Sequence, residues 1–372
     1  MTLACGRSNR HGYSAGIVAA AIVSFRLGGE DGVSIEAAKW GIALGTLGFE
    51  VFTVAGEGPV DHLLDGLAIG AAEPPTDSEI ANALDSADLV VVENLCSLPL
   101  NPRSAEAVAR VLSRRPAIFR HHDLAWQRER FAGWPPPPDD PAWRHVTIND
   151  LSRRELADRG IAATTIHNAF DPSPPPGDRI GMRDALGIRE QDRLLLQPTR
   201  ALERKNIPGG VELSEALGAA YWLLGPPEDG YGPELERIVA RAGVKVLLGM
   251  PTTGEAGLAC FSIHDAYAAS DAVVLPSTWE GFGNPAIESA MHSRPLAIGL
   301  YPVARELASF GFQWFGLGDV NAISAFIEKP DRDLLLRNKL IGRRHFSTSN
   351  LPDKLECLIQ DAKWGSGERV QM

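Results

Sequence analysis

The sequence is poor in cysteine, has no excess of basic residues and contains no long apolar run. Its four cysteines, Cys5, Cys96, Cys260 and Cys357, stand far apart. With no CxxC pair they indicate neither a zinc site nor a disulfide framework, and a reducing cytoplasm is the simplest home. Nothing approaches the ~20 consecutive apolar residues of a membrane span. Arg7, Arg10 and His11 precede the apolar run 16–25 and give it the superficial outline of a signal peptide. That run is short, has no convincing small-residue cleavage site and passes directly into Gly28-Gly29-Glu30-Asp31-Gly32. It reads as a first strand behind a frayed leader. Against 47 acidic residues stand only 36 basic ones, a net charge of −11. Binding to nucleic acid, which depends on phosphate neutralisation, is not expected, and any bound phosphate needs a local basic pocket. The glycines after the first strand lack the GxGxxG spacing of dinucleotide binders, and no short-period repeat is visible.

What is present is an alternation of short apolar runs with longer amphipathic ones, the pattern of parallel βα units. Expected strands in the first half are 17–25, 51–54, 89–92, 117–120, 146–148 and 164–166. Several are apolar throughout, as parallel strands buried on both faces are. Ser34 is the expected cap of a helix carrying Ile35, Ala38, Ile42 and Leu47 on one face, and Ser152 caps another reaching about Arg159. The stretch Asp171-Pro-Ser-Pro-Pro-Pro-Gly177 reads as a semi-rigid linker. Beyond it the pattern restarts at 194–196, 221–224, 244–248, 272–275, 296–298 and 314–317. A second proline cluster, 135–138, reads as an exposed loop. At 372 residues, 44% of them hydrophobic, the chain can bury two cores. Doubly wound sheets bind ligands beyond the carboxyl ends of their strands, so chemistry is sought in the loops that follow strands.

Two such loops stand out. After the strand ending near Leu275 come Glu280-Gly-Phe-Gly-Asn284-Pro-Ala-Ile-Glu288. Asn284 is a favoured cap type and Pro285 suits a first helical position. The helix start offers backbone N–H groups to oxygens of a ligand, and Glu280 and Glu288 can accept hydrogen bonds from vicinal hydroxyls. Taken alone, the segment also fits a plain connector with two solvated glutamates. After the strand 194–196, Arg200 and Lys205 lie ahead of a helix beginning near Pro208. A forked guanidinium and a point-charge ammonium suit a diphosphate, although singly each also fits surface charge.

Together, Arg200-x4-Lys205 and Glu280-x7-Glu288 resemble the paired motifs of family-4 retaining glycosyltransferases, the group 1 glycosyltransferases of the GT-B fold. Asp271-Ala-Val-Val-Leu-Pro-Ser277 resembles that family's lead-in. The resemblance covers most of the second half and is looser in the first. It implies an α/β chain of two doubly wound Rossmann-like domains facing an interdomain cleft: an acceptor-side domain at 1–175, a nucleotide-sugar domain at 176–345, and a helix crossing back with a disordered tail at 346–372. It further implies that Arg200 and Lys205 hold the donor diphosphate and that Glu280 faces the transferred sugar. Glu288 would bind the ribose, the backbone of Phe282, Gly283 and Asn284 would contact the sugar, and Gly225 and Met250 would border the base. Thr199 stands where the family usually has glycine, and Asn284 where it usually has an apolar residue.

In the first half, Arg120-His121-His122-Asp123 follows a strand. Adjacent strand residues point in opposite directions, which argues against a shared metal. By the resemblance, His122 approaches the donor sugar, and Gly29 and Gly32 border phosphate and acceptor. Glu93-Asn94 is either part of the acceptor pocket or a plain loop. With Asp31-Gly-Val-Ser34 and His122-Asp123 it bears a fainter resemblance to the branch that makes mannosylglucosylglycerate-type solutes. The expected reaction is retaining transfer of a hexosyl group from a GDP-mannose or UDP-glucose type donor to a hydroxyl acceptor, with no cofactor or metal required. The only DxD, Asp331-Arg-Asp333, reads as a helix start. A GT-B nucleotide-sugar epimerase and a non-catalytic sugar-nucleotide-binding protein are the alternatives.

Overall fold

The computed structural model describes residues 18–29, 31–251, 261–362 and 364. They form two compact units, one reaching Ala169 and resuming at Thr348, the other spanning Phe170–Ser347. The frayed leader expected before Val18 and the disordered tail expected after Trp364 lie outside the described residues.

The first unit runs β1 (Val18–Arg26), α1 (Gly32–Thr46), β2 (Phe49–Glu57), β3 (His62–Leu63), α2 (Asp77–Ala83), β4 (Leu89–Glu93), α3 (Pro102–Leu112), β5 (Ala117–His121), β6 (Trp143–Thr147), α4 (Asp150–Ala157) and β7 (Ala163–Thr165). Its seven strands are all parallel, in the order β3-β2-β1-β4-β5-β6-β7. Alternation along β1 sends Ala20 and Ile22 into one core, with Trp40 and Leu44 of α1, and Ala21 and Val23 into another, with Val108 and Leu112 of α3. Both faces are therefore covered, which is why these strands read as continuous apolar runs.

The second unit runs α5 (Arg179–Leu186), β8 (Leu194–Gln197), α6 (Ile207–Leu217), β9 (Ala220–Leu223), α7 (Gly232–Arg241), β10 (Val246–Leu248), α8 (Ile263–Ala269), β11 (Ala272–Leu275), α9 (Asn284–Met291), β12 (Leu296–Ile298), α10 (Pro302–Ala308), β13 (Phe315–Gly316), α11 (Val320–Glu328) and α12 (Arg332–Phe346). Its parallel sheet has the order β10-β9-β8-β11-β12-β13. Val211 and Leu217 of α6, Leu235 of α7 and Ile323 of α11 pack on Leu195, Tyr221 and Val274. The last helix, α13 (Leu351–Asp361), belongs to the first unit. Its Leu351, Leu355, Leu358 and Ile359 recur at helical spacing and join the core around Trp40.

Every expected strand is present, within a few residues; β3, too short to carry a pattern, was not expected. Several helix starts differ. Asp31, rather than Ser34, caps α1, accepting from the amides of Val33 and Ser34. The face of α1 that packs is also not the expected one. Ile35 and Ile42 are 42% and 74% exposed, while Glu36, Ala37, Trp40, Ala43 and Leu44 are buried. Glu36 looks like a solvent residue in sequence, yet Arg120 from β5, with Lys39 one turn further along α1, neutralises it and lets its face turn inward. Asn149 caps α4 in place of Ser152, whose amide donates to Asn149 Oδ1 at 2.7 Å, and the helix ends at Ala157. Asn284 is the first residue of α9 rather than its cap, and that role falls to Gly283. At Asp331 the expectation holds: its carboxylate accepts from the amides of Asp333 and Leu334 at the start of α12.

Candidate functional site

In the second sheet the strand order reverses between β8 and β11, and the loops leaving these two strands flank the resulting crevice. The β8 loop carries Arg200, Arg204 and Lys205; the β11 loop carries Ser277 and Glu280. Lys205 Nζ donates to both Glu280 oxygens, at 2.6 and 2.7 Å. Ser277 Oγ donates to Glu280 Oε1 at 2.6 Å, and Arg204 Nη1 reaches Glu280 Oε2 at 3.5 Å. The Lys205 and Glu280 side chains are 10% and 8% exposed. Burial lowers the pKa of Lys205, Glu280 opposes that shift, and the charges of Arg204 and Arg200 add to it.

Local chemistry explains how the lysine gets there. Residues 203–205 make one tight turn, and Asn206, at φ 49°, ends it in the left-handed region where asparagine is tolerated. The Asn206 side chain accepts from Gly209 N at the start of α6 and donates to the Pro276 carbonyl, tying the β8 loop to the β11 loop. Gln197 donates to the Lys205 carbonyl at 3.1 Å from inside the core.

Arg200 is placed differently. Its guanidinium pairs with Glu228 at 2.7 Å, and both side chains are about 40% exposed. Lys205 and Glu280 are thus brought into direct contact, whereas Arg200 acts on Lys205 only through its charge. Gly225 N donates to the Thr199 carbonyl at 3.0 Å, and a Cβ at Gly225 would stand 2.6 Å from Arg200 Cα. Only glycine lets the two backbones cross there, which gives Gly225 a structural task beside its expected place at the base. Met250 follows β10 and is half-buried.

Gly283 has φ 93°, and a side chain there would run into the Tyr301 hydroxyl. Gly283, the cap residue of α9, carries no side chain to accept from the first amides. The ring of Phe282 is buried among Phe170 and Phe346, so only its backbone is suited to a ligand. Glu288 lies in the second turn of α9 and accepts a hydrogen bond from Tyr267 at 2.7 Å.

In the first unit, His122 Nε2 lies 2.8 Å from Glu93 Oε2, and its backbone N–H donates to Asn94 at 3.0 Å. Arg120 is fully buried and donates to Glu93 and to Glu36 at 3.0 Å each, with Trp40 beneath its guanidinium at 4.5 Å. Burial alone would raise the pKa of Glu93, but Arg120 and His122 outweigh it and hold the carboxyl below its usual range. His121 points away, as strand alternation requires. Its ring lies 2.7 Å from Ser97 Oγ and 2.9 Å from His145, and burial with these histidine neighbours holds its pKa well below the usual value. A Cβ at Gly29 would stand 3.4 Å from Asp31 Oδ2, and one at Gly32, at the head of α1, would meet none of the described residues within 4 Å.

Sequence reasoning missed four partners: Arg204 and Ser277 on Glu280, Tyr267 on Glu288, and Glu93 on His122. Arg204 and Ser277 were visible as neighbours of motif residues; the other two are fixed by topology. Among the described residues no three His, Cys, Asp or Glu side chains gather as a metal site.

Two all-parallel doubly wound units with these strand orders form the GT-B fold, and solved structures share it. Anabaena Alr3699/HepE in complex with UDP-glucose matches at TM-score 0.67 and 16% identity, over 92% of this chain and 99% of that one. A glycosyltransferase from Rickettsia africae matches at TM-score 0.67 and 13% identity, over 94% and 99%. No family model matches the chain. Among curated proteins it is similar to the mannosylglucosylglycerate synthase of Thermotoga maritima, 27% identical over 90% of this chain and 98% of that protein. The synthase of the same name from Petrotoga mobilis is 25% identical, over 80% and 86%. The chain is a glycosyltransferase enzyme with the GT-B fold.

Proposed function

We propose that this enzyme is a family-4 transferase that moves a hexosyl group from a nucleotide diphosphate sugar to a hydroxyl acceptor with retention of configuration. The observation that carries the reading is the buried Lys205–Glu280 pair, with Arg204 and Arg200 beside it, at the reversal point of the second sheet. Lys205 supplies a positioned charge for a leaving diphosphate. Arg200 now holds Glu228 in an exposed pair worth only ~0–1 kcal/mol, so it can exchange that carboxylate for a phosphate at little cost. Glu280 faces the sugar hydroxyls and Glu288 the ribose; Gly225 and Met250 border the base, and the backbone of Phe282, Gly283 and Asn284 lines the sugar. His122, held by Glu93, is the first-unit residue assigned to transfer, with Gly29 and Gly32 near phosphate and acceptor. The reaction needs no metal, because positioned cations take the role of one.

The shared name of the two curated relatives is the ground for proposing a mannosyl donor and a glucosylglycerate acceptor. The test begins with thermal stabilisation by GDP-mannose, UDP-glucose and UDP-N-acetylglucosamine, since a bound nucleotide stabilises by mass action. The stabilising donor is then incubated with glucosylglycerate in EDTA. A new glycoside with the donor's anomeric configuration is expected. A new sugar nucleotide would mean epimerisation, and binding without any product would mean a non-catalytic module. Transfer that EDTA abolishes would overturn the metal-free mechanism.

A further inference from the structure

A side chain that holds Glu288 comes from a different helix. Tyr267, on α8, is fully buried, and its hydroxyl donates to Glu288 Oε2 at 2.7 Å. Burial and the neighbouring carboxylate raise the Tyr267 pKa well above its usual value, so the phenol remains a donor throughout the working range. The ring is itself clamped. His292 stacks on it with centroids 4.4 Å apart and planes 11° from parallel. The His292 ring is oriented in turn, because its Nδ1 lies 2.8 Å from the Glu288 carbonyl, which can only accept. That leaves Nε2 to receive a hydrogen bond from His264 Nδ1 at 2.9 Å. The result is a closed circuit, Glu288 carbonyl to His292 to Tyr267 to Glu288 carboxylate, linking the last turn of α9 to α8.

We infer that Tyr267 is the positioning residue that aims the Glu288 carboxylate at the nucleotide's ribose hydroxyls. The inference rests on the reading that Glu288 binds the ribose. A glutamate side chain has three rotatable bonds, and a vicinal diol is recognised only if both carboxylate oxygens are held in place. The Tyr267 hydroxyl pins one of them. Its removal leaves the charge and the backbone intact but takes away the hydrogen bond that holds Oε2. The loss should therefore fall on recognition of the ribose and spare the diphosphate end, held by Lys205.

The test compares binding of GDP and UDP with binding of their 2′,3′-dideoxy forms, in wild type, Tyr267→Phe and Glu288→Ala. Wild type should prefer whichever ribonucleotide it binds over its dideoxy form. Glu288→Ala should erase that preference. Tyr267→Phe should cut it about tenfold, the size of one hydrogen bond to a charged group, while the dideoxy affinity stays within twofold. Because the readout is a ratio within each protein, partial destabilisation of a variant cancels. If Glu288→Ala loses the preference and Tyr267→Phe keeps it whole, Tyr267 is only a packing residue and the inference fails alone. If Glu288→Ala keeps the preference, or wild type has none, the ribose reading fails and takes the inference with it.

Discussion

Replacing Lys205 with alanine removes an ammonium 2.6 and 2.7 Å from the two Glu280 oxygens, in a pair whose side chains are each about nine-tenths buried. Truncating one member of a buried pair typically costs ~3–5 kcal/mol, because the other charge stays behind without its partner. Here Ser277 still donates at 2.6 Å, and Arg204, at 3.5 Å, needs only a small shift to close on the carboxylate. The expected cost is therefore at the lower end, about 3 kcal/mol. For a unit the size of Phe170–Ser347 this lowers Tm by roughly 6–12 °C. The variant should be folded at 25 °C yet measurably weakened. Turnover should fall much further, by about 10²–10³, the usual consequence of losing one positioned donor to a developing negative charge. Two assays separate these effects: thermal melting without substrate, and single-turnover transfer well below Tm. The double variant Lys205→Ala/Glu280→Gln carries no orphaned carboxylate. It should melt at or above the single variant while remaining as inactive. Wild-type turnover in Lys205→Ala would refute the diphosphate assignment. Stability losses that simply add in the double variant would refute the argument that the pair is coupled.

Gly283→Ala must hold φ 93° with a methyl group directed at the Tyr301 hydroxyl. About 1–3 kcal/mol of strain and a loss of donor affinity are expected; Tyr301→Phe in the same chain should relieve only the steric part, and unchanged affinity in Gly283→Ala would place the sugar elsewhere. His292 has its pKa pushed from 6.5 down to about 4, first by burial and then by the charges of His264, Lys339 and Arg294, with the hydrogen bond to the Glu288 carbonyl opposing. The unfolded chain binds that proton more readily. Stability is thus fully present above pH 6.5 and is lost as pH falls toward 4, on the order of 2–3 kcal/mol for this group. His292→Phe should flatten the denaturation profile across that window, and an unaltered slope would show that other groups dominate.

The sequence by itself determined the periodic features. Apolar runs with no polar face announced parallel strands buried on both sides, and twelve strand positions follow from that pattern together with the glycine and proline breaks between them. It also brought out the charged loops after β8 and β11, because a ligand site in a doubly wound sheet lies beyond strand ends. Finer local features were only partly legible. At α1 and α4 two cap-type residues stand three positions apart, and at α9 two stand side by side; the choice between Asp31 and Ser34, or Gly283 and Asn284, depends on the φ at which the chain enters the helix. What only tertiary structure decided is which side chains meet. Glu36 turned inward because Arg120 arrives from β5, 84 residues away, and that one pairing rotated the buried face of α1. Lys205 and Glu280 are 75 residues apart, and Tyr267 and Glu288 lie on separate helices. Secondary structure follows from interactions within a few residues of chain. A buried charge is stable only beside its partner, and the partner is set by strand order, which no local window contains.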